Sequence, residues 1–171
     1  MKKVFFALIL TLLLAACSDA ETETAGDLQK TIEEGTIGYE IVDGKVEAAT
    51  DVPADVEQQV LTALDEYIQS FNEKDLARFK ETVSQQDETY YTETMKEAES
   101  VFAQYSIIER ESKDVTISKY SEERVEVFMN MTGRVVEAAS ELEMAANARQ
   151  IIIMVKEDGT WKVSSVHSIN I

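Results

Sequence analysis

One cysteine, one histidine, one proline and one tryptophan are all that 171 residues contain. The lone cysteine, Cys17, excludes an internal disulfide. The lone histidine, His167, excludes a well-founded serine-histidine-acid triad, because nothing in the sequence places an acid beside it. Basic residues are also scarce: 16 Lys and Arg stand against 33 Asp and Glu, a formal charge of −17. A nucleic-acid partner requires a basic face that displaces counterions from phosphates, and no such stretch occurs. Anionic lipid headgroups repel a body of this charge, which marks a solvated, colloidally stable surface. Long apolar runs are missing with one exception, Val4 to Ala16, interrupted only by Thr11. That run is shorter than the roughly 20 residues of a membrane-spanning helix.

A short apolar run behind Lys2 and Lys3, closing in small residues, has the order of a secretory signal, which is removed and takes no part in the fold. It ends Leu14-Ala15-Ala16-Cys17, which resembles the bacterial lipobox at all four positions. The alternative is an ordinary signal with an incidental cysteine. The resemblance implies cleavage before Cys17, a diacylglycerol on its thiol and acylation of the new amino group. Each buried methylene of the acyl chains contributes about 0.8 kcal/mol, and two or more chains anchor durably. The expected location is the outer face of a Gram-positive cell membrane, or a periplasmic or outer-membrane leaflet elsewhere. Loss of residues 1–16 removes two lysines and no acid, taking the charge from −17 to −19.

From Ser18 to Lys30 the chain reads SDAETETAGDLQK, too polar to bury a core. Residues 17–30 are therefore expected to be a lipidated cysteine and an acidic tether. Residues 31–171 are the right size for one domain, with 31–52 as a hairpin extension and 54–170 as the core. Asp43-Gly44 between Ile37–Val42 and Lys45–Glu47 is a hairpin signal. Pro53, in a first turn after Asp51, opens a helix. Its apolar stripe is Val56, Val60, Leu64, Tyr67 and Phe71, widened by Leu61 and Ile68. Asn72 to Asp75 ends it, and Asp75 caps a shorter helix carrying Leu76, Phe79 and Val83. A third helix over about 89–105 places Tyr91, Met95, Ala98, Phe102 and Tyr105 on one side.

After Tyr105 the period changes to two. Ile107, Ile108, Val115 and Ile117 suggest one strand, and Val125, Val127, Met129, Met131 and Val135 alternate along the next. Gly133 is expected to mark a bulge or bend. The continuous run Ile151–Val155 predicts a central strand covered on both faces. Asp158-Gly159 turns the chain into a closing strand on which Trp161, Val163, Ser165, His167 and Ile169 share the helix-facing side if no bulge intervenes. The predicted fold is thus α+β: three N-terminal helices on a four-stranded antiparallel meander, preceded by a small hairpin.

The segments FNEKDLARFKETVS and VKEDGTWKVSSV, in that order, resemble the nuclear transport factor 2-like superfamily over about 54–170. The resemblance implies helices closing a curved sheet into a cone with a pocket, here expected to involve Tyr67, Phe71, Tyr105, Met129, Met131, Ser165 and His167. Ketosteroid isomerases, dehydratases and noncatalytic binding modules share that fold, so chemistry must come from the site. The isomerases need an inward carboxylate base and a Tyr or protonated Asp that stabilises an enolate, and no such set matches here residue by residue. His167 is the weak catalytic candidate, a general base if it lines the cone. Met129 and Met131 have the softness of copper ligands, but their spacing suits packing on one strand face. The acidic stretch Asp87 to Glu99 lacks a calcium-hand loop. No metal and no cofactor are expected. The functional expectation is an extracytoplasmic, membrane-anchored domain that binds a small molecule or a protein without catalysis. The alternative is an isomerase-, dehydratase- or hydrolase-like enzyme using the cone. A dimer is compatible with either.

Overall fold

The computed structural model describes residues 41–42 and 45–170. The signal run, Cys17, the tether, Ile37–Glu40 and the Asp43-Gly44 turn lie outside the described residues. Of the expected hairpin, β1 (Ile41–Val42) and β2 (Lys45–Val46) pair antiparallel.

Three helices follow, α1 (Ala54–Asn72), α2 (Leu76–Thr82) and α3 (Glu88–Gln104). Pro53 is the N-cap of α1 rather than a residue of its first turn. With φ −60 and ψ 140 it is extended, and its carbonyl accepts the first helical hydrogen bond, from Glu57 N, at 2.9 Å. Asp55 and Glu57 place negative charge in the first turn, where the helix dipole favours it. The predicted stripe is buried at Val60, Leu64, Tyr67 and Ile68. Full burial of such side chains contributes at most about 1.5–3 kcal/mol each. Leu61 does not widen the stripe: at 38% exposure it lies outside the face that meets the sheet.

Lys74 (φ 57) ends α1 in the left-handed conformation, with Asp75 N bonded to Ser70 O at 2.9 Å and Lys74 N to Phe71 O at 3.1 Å. This is the paired bonding that satisfies the last helical carbonyls, with lysine where glycine is usual. Asp75 then caps α2 by accepting from Arg78 N at 3.1 Å, and Asp87 caps α3 by accepting from Tyr90 N at 3.0 Å. Arg78 clamps α2 to α1 through both oxygens of Glu66 at 2.8 Å. The hydrogen bond from Arg78 holds the Glu66 carboxyl below its ordinary value.

The sheet is an antiparallel meander, β3 (Tyr105–Tyr120), β4 (Arg124–Glu137), β5 (Glu143–Glu157) and β6 (Thr160–Asn170), in that spatial order. Cross-strand partners share a face, so the register sorts the side chains. Val125, Val127, Met129 and Met131 on β4, Ile152 and Met154 on β5 and Trp161, Val163 and Val166 on β6 all belong to the cluster packed beneath the helices. The opposite face carries Phe128, Ile151 and Ile153, also buried, and the fully buried Glu126. Glu126 pairs with Arg124 at 2.7 Å and Lys119 at 3.4 Å. The run Ile151–Ile153 is covered on both faces, as its unbroken apolarity predicts.

Gly133 pairs in register with Arg110 and Ala146, without a bulge. The register shifts fall elsewhere, at Ser106, at Asp114 and Val115, at Ser118 and at Ser164. Three of these carry a serine whose hydroxyl donates at 3.2 Å across to the partner strand: Ser106 to Val136 O, Ser118 to Glu126 O and Ser164 to Ile153 O. Asp114 adopts φ 53 and accepts from Asn130 Nδ2 at 2.8 Å. An extra strand residue disrupts the ladder locally, and a short hydroxyl or carboxylate side chain answers the polar groups left behind while the strand bends. Both sheet edges are partly covered. Ala49 N bonds Ile117 O on β3 at 2.9 Å, and Ser84 N bonds Val163 O on β6 at 2.8 Å.

Candidate functional site

Toward the C-terminal end of α1 the packing between helices and sheet opens into a cavity of about 450 Å³, lined in part by Tyr67, Phe71, Phe79, Tyr90, Arg110 and Gln150. Thr94, Glu97 and Ala98 of α3 and Val166 and Ser168 of β6 complete the lining. The size falls within the range of small-molecule sites.

Aromatic stacking builds the wall. The Phe79 ring lies 5.2 Å from both Tyr67 and Phe71, and Phe71 lies 5.0 Å from Phe102, mostly edge-on. Over this wall stands the Arg110 guanidinium, 4.8 Å from the Phe71 ring centre and 5.7 Å from that of Tyr67. Its backbone is pinned from the helix side: Asn72 Nδ2 donates to Arg110 O and Arg110 N donates to Asn72 Oδ1, both at 2.9 Å. Asn72, the last residue of α1, thus behaves like a neighbouring strand for one residue of β3. Among the described residues no carboxylate lies within ion-pair distance of Arg110, whereas Arg78, Arg124 and Arg134 each close onto glutamates.

Two further polar groups matter. Burial, reinforced by neighbouring Tyr67, pushes the Tyr90 phenol above the ordinary tyrosine range, so it remains protonated and can donate. The Gln150 amide donates from Nε2 to Ser168 Oγ at 2.9 Å, while its Oε1 is buried with no hydrogen-bond partner. An orphaned buried acceptor costs roughly 1–3 kcal/mol. Among the described residues no group of three or more acidic, histidine or cysteine side chains converges on a metal position.

Of the residues expected from sequence to form the pocket, Tyr67 and Phe71 line it. Met129 and Met131 are on the same sheet face but are packed into the core, with Met129 opposite Gln150 in the register. Tyr105 is the C-cap of α3, half-buried, its carbonyl accepting from Lys74 Nζ at 2.8 Å. Ser165 and His167 face the other way. The bulge at Ser164 shifts the alternation by one, so Val163 and Val166 face the helices while Ser165 and His167 pair with Ile153 and Ile151 on the opposite face. There Ser165 Oγ lies 3.3 Å from His167 Nε2. The expectation that His167 lines the cone fails for this reason, and with it the argument for His167 as a base working there. Sequence reading missed Arg110, Tyr90 and Gln150. The paired serines Ser164-Ser165, in an otherwise alternating strand, were the available signal for the bulge.

Fold and sequence together define an exported lipoprotein carrying an α+β domain with the nuclear transport factor 2-like fold. Residues 1–18 match the model of a prokaryotic membrane lipoprotein lipid attachment site, and the protein is accordingly membrane-anchored. Among the described residues no helix is long and apolar enough to cross a membrane. The chain belongs to the family described as the C-terminal domain of the anti-sigma-I factor RsgI9, whose model matches residues 62–171. No curated protein matches it. Similar solved structures include a putative aromatic ring hydroxylase from Novosphingobium aromaticivorans, at TM-score 0.64 and 11% identity over 71% of this chain and 92% of that one. A putative dehydratase of the NTF2-like family from Streptomyces avermitilis has TM-score 0.62 and 11% identity, covering 70% and 99%. An NTF2-like superfamily protein from Salmonella enterica has TM-score 0.55 and 14% identity, covering 68% and 92%. At these identities the likeness is one of fold.

Proposed function

We propose that this lipoprotein is a receptor module: a lipid on Cys17 holds it at the membrane surface, residues 17–30 act as a tether, and the domain from 31 to 171 captures a small molecule in its cavity without transforming it. The observation that carries this reading is the cavity of about 450 Å³, in which an aromatic wall is combined with a guanidinium that has no carboxylate partner among the described residues and with the half-satisfied amide of Gln150. Apolar walls with a few convergent polar groups are the usual make-up of a ligand site. Protonated Tyr90 acts there as a donor, not as a base. The family's name, taken from a regulatory factor and not from an enzyme, agrees with capture over turnover.

The test uses the mature lipoprotein in detergent and a mixture of aromatic and aliphatic fragments, followed by saturation-transfer NMR. Native protein is expected to bind a subset of the mixture. Ser168→Trp, which places a bulky ring at an exposed position of the lining, is expected to lose that subset. Equal binding by both proteins would refute the site, and chemical conversion of a bound fragment would refute capture without turnover. The anchor is tested separately: labelled palmitate is expected to enter the native protein and not Cys17→Ser, and its entry into that variant would refute the lipid position.

A further inference from the structure

We infer that the cavity's ligand is a small carboxylate with an apolar body and a hydroxyl or N–H group, its carboxylate held by Arg110 and its donor group met by the amide of Gln150. The inference rests on the reading of the cavity as a small-ligand site and adds the chemistry of what enters it.

Arg110 is the first ground. The mature chain carries a formal charge of −19, and three of its other arginines find glutamates: Arg78 bonds Glu66 and Glu73, Arg124 bonds Glu126, and Arg134 bonds Glu109 and Glu143. Arg149 has no ion pair among the described residues but is exposed to water on the other sheet face, opposite Asn130, whereas Arg110 is half-buried in the cavity wall. Arg110 is flanked in sequence by Glu109 and Glu111 yet pairs with neither. The strand alternation turns both glutamates to the other face, where Glu109 bonds Arg134 at 3.0 Å. The backbone lock from Asn72 then fixes Arg110 over Phe71 and Tyr67. A guanidinium over aromatic rings, with no carboxylate partner among the described residues, has N–H donors to offer, and its planar fork matches a carboxylate with two parallel hydrogen bonds.

Gln150 is the second, independent ground. Its amide head is half satisfied by Ser168, and the other half is buried without a partner. Buried polar atoms are rarely left so, and a turn of the Gln150 side chain, which lines the cavity, brings the amide to a ligand hydroxyl that answers either orientation because it both donates and accepts. Glu97 shares the lining. It disfavours a second anionic group in the cavity and favours a donor. Between the two polar ends the rings of Tyr67, Phe71 and Phe79 match an apolar body.

The experiment compares three probes of one shape by equilibrium titration of the mature lipoprotein: 3-(4-hydroxyphenyl)propionate, which carries a carboxylate and a hydroxyl at opposite ends of an apolar body, 3-phenylpropionate, which lacks the hydroxyl, and 3-(4-hydroxyphenyl)propionamide, which lacks the charge. The hydroxyphenylpropionate is expected to bind most tightly. Loss of the charge is expected to weaken binding roughly tenfold or more, as for a charge-assisted hydrogen bond. Loss of the hydroxyl is expected to weaken it several-fold. In Arg110→Gln the acid and the amide should bind alike; Arg110→Lys, which keeps the charge but not the planar fork, should retain part of the preference, with circular dichroism showing that both variants fold. If the amide matches the acid on native protein, the inference fails while the small-ligand reading stands. If the fragment mixture yields only neutral ligands, the result is the same. If neither the three probes nor any fragment binds, both readings fall together.

Discussion

The two ends of the layer between helices and sheet are built from the same elements to opposite purposes. At one end the N-terminal half of α1 closes over the β5–β6 turn: Val60, Leu64, Met154, Trp161 and Val163 are all buried within one apolar cluster. At the other, where α1 ends, Tyr67, Phe71 and Phe79 are spread into a wall, and Arg110, Tyr90 and Gln150 bring polar groups into the space left over. The closed end gains stability from that buried cluster, and the groove of about 600 Å³ beside it runs outside the cluster, along the polar side of α1 at Gln58, Gln59 and Thr62 and past Gly159 and Thr160. The open end gives up part of that gain and leaves an amide oxygen unpaired. The difference separates residues that hold the fold from residues that equip it.

The largest effect is expected at the closed end. Trp161 is 2% exposed, and truncation of a buried aromatic to alanine costs about 3–5 kcal/mol through lost transfer energy and an unfilled cavity. That is a large share of the roughly 5–15 kcal/mol available to a single domain. Trp161→Ala should therefore lower the urea midpoint severely or abolish folding, and Lys162→Ala, on the other face, should change it little. Trp161→Phe should cost much less than the alanine variant, because the indole N–H is buried without a partner and its removal ends an unmet demand. Native-like stability of Trp161→Ala would show that the closed end is not where the fold is held.

Asn72→Ala comes next. It removes both hydrogen bonds to the Arg110 backbone and is expected to cost about 1–3 kcal/mol and to weaken hydroxyphenylpropionate binding more than it weakens binding of the amide. A stability loss with an unchanged acid-to-amide ratio would show that Asn72 does not position Arg110. A smaller effect, about 0.5–1.5 kcal/mol, is expected from Ser164→Ala, which takes away the hydroxyl bonded to Ile153 O but leaves the extra residue that sets the alternation. Val166 should thus remain on the helix side, which nuclear Overhauser contacts to Tyr67 or Phe71 would report.

The smallest effect belongs to the Glu66–Arg78 clamp, which is solvent-exposed by more than a third on both sides. Exposed pairs are screened by solvent and contribute little. Because the Glu66 pKa is lowered in the folded protein, its contribution is present above the ordinary value of 4.5 and is lost as pH falls below that value through the folded one. Denaturation midpoints of native protein and Glu66→Gln should therefore differ slightly at neutral pH and converge in acid. A gap that widens in acid would contradict the assigned sign.

Periodicity made most of the closed end legible. The spacing of Val60, Leu64, Tyr67 and Ile68 and the alternation of Val125, Val127, Met129 and Met131 each follow from which face must leave water, a local property of the chain. The Asp158-Gly159 turn was legible for the same reason, since φ values of 49 and 82 suit that pair. The open end was less so. Arg110 stands between two glutamates in a strand and looks like surface; what makes it special is Asn72, in another element. Tyr90 was passed over for Tyr91, which fits the helical stripe better. One serine too many in β6 reversed the faces of Ser165 and His167, a change that no count of alternating residues reveals unless the bulge is known. The outer sheet face was legible in part. The run Ile151–Val155 predicts cover on both faces, which the structure gives from Ile151 to Met154 with Val155 half-buried; that the register partners Phe128 and Glu126 share the cover depends on pairing with another strand.

The account turns on whether the open end is a ligand site, and tyrosine rings at both ends can report it. With ring-labelled tyrosine in the mature lipoprotein, addition of the bound fragments or of 3-(4-hydroxyphenyl)propionate should shift the signals of Tyr67 and Tyr90, which line the cavity, and leave Tyr120, paired with Val125 toward the closed end, in place. If Tyr67 and Tyr90 stay fixed while ligands bind, or if all three move together, the cavity is not the site and the contrast between the two ends carries no function.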